Sequence, residues 1–182
     1  VAAGLSAAFL CGMAGSHTLL YAATAGGEGV GFRSSDQEMN EGALRFQQGA
    51  FPQAAAHWMN AARGYEEGGH VKEQCQALIN LAHALQGEGQ IRRAQGTLQA
   101  ALKLSEQAGD RLLTARILAQ LGTTSHALGK HEPATEHLTK ALALAREEKK
   151  PALVASVLND LGNALAARRQ FAEAIDVYAE SR

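Results

Sequence analysis

The sequence predicts an all-α solenoid, in which antiparallel helix pairs stack side by side and share one continuous core. Three observations predict it. The first is composition. Of 182 residues, 46% are hydrophobic but only 5% aromatic, with 37 Ala and 23 Leu against 18 Val, Ile and Thr together. Ala and Leu lose little on entering a helix, whereas β-branched residues suit pleated sheets. The second is a repeat. Gly42, Ala82, Gly122 and Gly162 are spaced by 40 residues, as are Ala54, Ala94, Ala134 and Ala174, and Trp58, Leu98, Leu138 and Tyr178. A fourth column, Ala61, Ala101 and Ala141, keeps the same register without a gap. The third is helical spacing of apolar residues inside each unit. The balance of 17 basic and 18 acidic residues, a net charge of -1, excludes a broad electrostatic nucleic-acid surface. Disorder, collagen, disulfide scaffolds and β-sandwiches are excluded by the same composition.

The elements follow in order. No acidic or basic residue occurs before Glu28, and Leu5 to Ala25 is apolar and small, closing on Ala23-Thr24-Ala25. Small residues at those positions suit signal-peptidase cleavage after Ala25, so residues 1–25 read as a signal peptide or, in the alternative, a membrane anchor over residues 5–25. Gly4, Gly12, Gly15, Ser16 and His17 weaken the spanning alternative by lowering hydrophobicity across the ~20 residues a span requires. Cys11 follows Leu10 rather than a small residue, which argues against lipidation. An exported, periplasmic or extracellular protein is therefore expected, touching a membrane only if this segment stays uncleaved. Residues 26–35, with their glycines and serines, read as a linker, and the folded part is expected over 36–182.

The first unit is the most divergent, with Glu41 and Arg45 in columns that hold Leu elsewhere. A terminal unit that faces solvent tolerates this. In the second, Leu78, Leu81 and Leu85 mark one helix, Gly87 and Gly89 interrupt it, and Ile91, Ala94, Leu98, Ala101, Leu102 and Ser105 mark the next. In the third, Leu118, Leu121 and Ser125 precede Leu128-Gly129, then Ala134, Leu138, Ala141 and Leu142. The fourth has Leu158, Leu161 and Leu165, a turn at Arg168-Arg169-Gln170, then Phe171, Ala174, Ile175 and Tyr178. Pro52, Pro133 and Pro151 fall at helix starts, where a missing N–H costs nothing. The small columns let two backbones cross closely, and the large column fills the space beyond the contact. One pair leaves a face bare, and the next pair covers it. The start at Val1 and a last helix shorter than its counterparts lead to the expectation of a longer natural protein.

The motif Leu121-Gly122, Ala134, Leu138, Ala141, with Leu161-Gly162-Asn163-Ala164-Leu165, Ala174 and Tyr178, resembles tetratricopeptide repeats (TPR). The resemblance covers about Asp36 to Arg182, four units. At 40 residues each unit exceeds the usual ~34 and is similar to the repeats of kinesin light chains and of bacterial proteins that couple repeats to caspase-like CHAT peptidases. It implies a right-handed superhelix whose concave groove, lined mainly by the first helix of each unit, binds peptides or proteins.

Nothing in the sequence has the spacing of a catalytic or metal site. His131 and His137 are six apart with Pro133 between them, not the one-turn spacing of a zincin. Cys75 shares a column with Ala115 and Ala155 and reads as a small buried residue. The Gly-rich segments lack the Lys-Ser/Thr of a phosphate loop. No cofactor, metal or catalytic residue is expected, and the chain reads as a non-enzymatic interaction scaffold. The alternative is the N-terminal regulatory part of a larger enzyme such as a CHAT peptidase. The groove candidates are Asn80, His83, Arg116, Gln120, Asn159, Asp160 and Asn163, with Gln76, Thr123 and Ser156 in the same columns. Asn and Gln offer both donors and acceptors, which suits gripping a peptide backbone, and Arg116 suits a carboxylate. Met39 and Ala43 stand where chaperone-tail receptors carry their carboxylate clamp, so that role is not expected.

Overall fold

A 20-residue rhythm runs through the chain. The computed structural model describes residues 34–181, and the predicted leader and most of the linker lie outside them. Helix α1 spans 34–47. It is followed by α2 (Phe51–Glu67), α3 (Val71–Gly87), α4 (Ile91–Gln107), α5 (Arg111–Ala127), α6 (His131–Glu147), α7 (Pro151–Ala167) and α8 (Phe171–Glu180). From α2 to α7 each helix has 17 residues. The first helix takes in Ser34 and Ser35, slightly before the boundary read from composition, and Ser35 is buried. Among the described residues there is no strand, and no helix is long and apolar enough to cross a membrane.

The rhythm is set by one turn used seven times. Residues 49, 69, 89, 109, 129, 149 and 169 all have positive φ; five are Gly, and the others are Lys149 (φ 52°) and Arg169 (φ 62°). At each, the next residue's N–H bonds back to the helix, as in Gln90 to the Leu85 carbonyl (2.7 Å) and Lys150 to the Ala145 carbonyl (3.0 Å). The bond satisfies a carbonyl that the helix end would otherwise leave bare. Pro52, Pro133 and Pro151 all lie in the first turn of a helix, as expected.

The columns do what their sizes predict. Ala54, Ala94 and Ala134 are wholly buried, as are Ala61, Ala101 and Ala141. Leu98 and Leu138 are also wholly buried, Trp58 nearly so, and Tyr178 is half-buried in the last pair. Each crossing is tight at its Gly. A Cβ on Gly42 would fall 2.5 Å from Trp58 Nε1, and Gly122 and Gly162 face Leu138 and Tyr178 in the same way. Trp58 Nε1 donates to the Met39 carbonyl (3.2 Å), so its one polar atom is satisfied inside the core. In the divergent first unit, Glu41 and Arg45 pair one turn apart on α1 (2.6 Å). Polar bonds to α2 supplement the apolar contact there: Tyr65 OH donates to Asp36 (2.6 Å), and His57 Nδ1 meets Glu38 (2.7 Å). The core runs along the stack instead of filling a centre, with one cluster joining Trp58 through Leu121 and another joining Leu118 through Ala174.

Candidate functional site

Each helix packs on its chain neighbours, and α3 also packs on α5, and α5 on α7. This brings the first helices of units two to four together as one face. Helical spacing then decides which residues share it: Gln76, Asn80 and His83 on α3, Arg116, Gln120 and Thr123 on α5, and Ser156, Asp160 and Asn163 on α7.

The face is knitted by polar side chains. On α3, Gln76 Nε2 donates to Asn80 Oδ1 (3.0 Å). Between α3 and α5, Gln120 approaches the half-buried His83 ring, and the Arg116 charge also acts on it. Burial lowers the His83 pKa, Gln120 opposes the shift and Arg116 adds to it. One turn on, Gln86 Nε2 donates to Thr124 Oγ1 (2.7 Å), which in turn donates to the Gln120 carbonyl (2.6 Å). Between α5 and α7, His126 faces Asp160. Burial raises the Asp160 pKa, and the His126 charge opposes that rise. Arg116 is exposed. Among the described residues no carboxylate forms an ion pair with it.

Five of the seven candidates therefore lie together: Asn80, His83, Arg116, Gln120 and Asp160. Asn163 is exposed beside them but is engaged from the other side, accepting from Tyr178 OH (2.7 Å). Asn159 stands apart. Its register mates Ile79 and Ala119 are buried, while Asn159 is exposed in the last pair. Gln86, Thr124 and His126 take part and were not singled out from the sequence. Their two columns are chemically mixed (Phe46, Gln86, His126, Ala166 and Leu44, Ala84, Thr124, Ala164), so register alone is silent, although each lies three or four residues beyond a predicted groove position.

Elsewhere the chemistry is structural. Cys75 is fully buried, its Sγ donates to the Ala101 carbonyl (3.6 Å), and burial pushes its pKa up to about 11, so the thiol stays protonated. Among the described residues no three His, Cys, Asp or Glu form a metal-holding group. A hollow of about 710 Å³ lies between α6 and α8, with Leu161, Leu165 and Val177 among its apolar lining and charged Glu136, Lys140, Glu173 and Asp176 around it. It contains none of the seven candidates.

Two tetratricopeptide-repeat family models match residues 73–147 and 154–182, together more than half of the chain. The chain belongs to the tetratricopeptide-repeat family. Solved structures agree on the fold. The TPR chain is similar to apo RapI (TM-score 0.79, 15% identity), covering 83% of this chain and 55% of that one. It is similar to a Rap protein complexed with Competence and Sporulation Factor (TM-score 0.74, 14% identity), covering 82% of this chain and 42% of that one. It is also similar to a P. anserina protein described as a kinesin light chain with nearly identical TPR-like repeats (TM-score 0.70, 16% identity; 80% and 72% covered). The TPR chain thus spans about half the length of the Rap proteins. No curated protein matches its sequence.

Proposed function

We propose that this TPR chain is a non-enzymatic scaffold that holds a peptide or protein partner against the face made by α3, α5 and α7. The carrying observation is that face itself: side chains from three units, mostly neutral amides and hydroxyls, meet across neighbouring helices. Such groups match the alternating donors and acceptors of an extended backbone without selecting one sequence. The Rap structure complexed with Competence and Sporulation Factor, on a similar fold, supports the reading that such a fold holds a partner. A random phage-displayed peptide library panned on the chain tests it. Peptides selected on the native protein should be lost on an Asn80→Ala/Gln120→Ala variant whose circular dichroism is unchanged. Equal capture by both proteins would remove the assignment.

The leader reading of residues 5–25 adds that the scaffold works outside the cytoplasm. A fusion to a reporter active only after export checks this. A second reading is kept for one observation: Phe171 and Ile175 on α8 are 60% and 66% exposed, so the last pair offers an apolar face that a further segment would cover. In that reading the repeats regulate an attached enzyme, with a CHAT peptidase as the type. A caspase-like segment with a His and Cys dyad in the downstream gene supports it, and a stop codon within one repeat removes it.

A further inference from the structure

The α3–α5–α7 face carries nine residues in its three columns, and seven of them are amides, hydroxyls or the His83 ring. The two formal charges are opposite, Arg116 on α5 and Asp160 on α7, two helices that touch although α6 lies between them in the chain. They do not pair with each other within ion-pair distance. The Arg116 charge acts on His83, towards α3, and the His126 charge acts on Asp160 without forming an ion pair with it. Asp160 is half-buried. A half-buried carboxylate with no cation at ion-pair distance is a costly way to keep a helix soluble, and an exposed side chain would serve better. Two opposite charges held apart on a neutral, hydrogen-bonding surface mark two separate contact points for one ligand.

We infer that the face selects an extended peptide carrying both an acidic and a basic side chain, the acid on Arg116 and the base on Asp160. This rests on the reading that α3, α5 and α7 form the partner-binding face. The spacing follows from helix geometry. Arg116 is four residues earlier in register than Asp160, an axial offset of about 6 Å at 1.5 Å per residue, and packed helices lie about 8–10 Å apart. The charges are then about 11 Å apart, the span of about three residues of extended chain. The neutral amides between them supply backbone contacts, and the charges supply the choice. An acidic ligand group would take the bidentate geometry that guanidinium offers, and a Lys or Arg would restore a partner to Asp160.

The test uses fluorescence anisotropy with the 182-residue chain and synthetic peptides of Ala, Ser and Gln. One carries Glu and Lys about three residues apart, one Glu alone, one Lys alone, and one neither. The doubly charged peptide should bind about 10-fold or more tighter than the neutral one, since one charged hydrogen bond alone is worth about that factor. Arg116→Gln should erase only the Glu preference, and Asp160→Asn only the Lys preference, because Asp160→Asn preserves shape. The charge-reversed Arg116→Glu/Asp160→Lys protein should prefer the peptide with Glu and Lys exchanged. Equal binding of neutral and charged peptides overturns the charge selection and leaves the peptide-binding reading standing. Failure of all four peptides, with no library peptide selected either, overturns both.

Discussion

Lys149 holds the turn between α6 and α7 in the left-handed region (φ 52°), where the same turn elsewhere uses Gly49, Gly69, Gly89, Gly109 and Gly129. A side chain there costs about 1–2 kcal/mol from contact between Cβ and the following carbonyl. Lys149→Gly removes that cost but adds back about 0.4–1 kcal/mol of freedom in the unfolded chain. The net gain is about 0.5–1 kcal/mol. Lys149 is exposed, and among the described residues its side chain forms no ion pair that would offset the gain. The converse change is equally clean. A Cβ added to Gly109 meets nothing within 4 Å, so Gly109→Ala should destabilise by about the same amount through φ alone. In a chain of this size, 1 kcal/mol moves Tm by about 2–4 °C. Thermal unfolding followed by circular dichroism should therefore show Lys149→Gly up by about 1–4 °C and Gly109→Ala down by a similar amount. Lys149→Ala controls for the lost charge and should barely move. If Lys149→Gly left Tm unchanged or lowered it, the turn would not be strained and the reasoning would fail.

Three further outcomes follow. Ala94 is wholly buried at a helix crossing, so Ala94→Leu should overpack it and cost about 1–3 kcal/mol in urea unfolding, with little effect from the same change at exposed Ala100. Asp110 caps α5 by accepting from the Leu113 N–H (3.0 Å), and that bond, aided by Lys72, holds its pKa below the usual carboxylate value. Asp110→Ala should cost about 1 kcal/mol at neutral pH, and the gap to wild type should close as pH falls through and below the ordinary Asp range, where the native carboxylate is itself protonated. His83 has a folded pKa below its unfolded value, so the unfolded state takes up the proton first as pH drops below about 6.5. Stability should decline there, and His83→Gln should flatten the decline between pH 7 and pH 5 in urea titrations; an unchanged slope would mean the ring is not held neutral.

How much of this was legible depends on what each residue does. Helix pairing was readable because contact between units repeats at 40 residues, and a residue under that constraint shows the same size in every copy, as Ala94 and Ala134 do. The finer 20-residue beat of the turns was harder to see. First and second helices carry different columns, and the turns at Lys149 and Arg169 lack the glycine of the others, although Arg168-Arg169-Gln170 was still readable as a turn. The polar α3–α5–α7 face was partly readable, since polar columns point away from the core. Which members touch was not. The Gln86–Thr124 hydrogen bond and the action of the His126 charge on Asp160 run between helices of neighbouring units, and their identities change from unit to unit, so no column records them. Asn159 shows the opposite failure. Its polarity suggested the groove, but its register belongs to a position that the next unit covers at Ile79 and Ala119.

The equal helices and the repeated turn also constrain how such a chain can change length. Each α-helical residue turns the chain by about 100°. One residue inserted within α5 would rotate everything after it on that helix and break register with both α3 and α7 at once. Loss of a single 20-residue step would exchange inner and outer helices for all that follows. Only a whole 40-residue unit can be gained or lost while every surviving contact keeps its kind. The architecture therefore makes size a quantised trait, with the width of the face made by the first helices growing by one helix at each step.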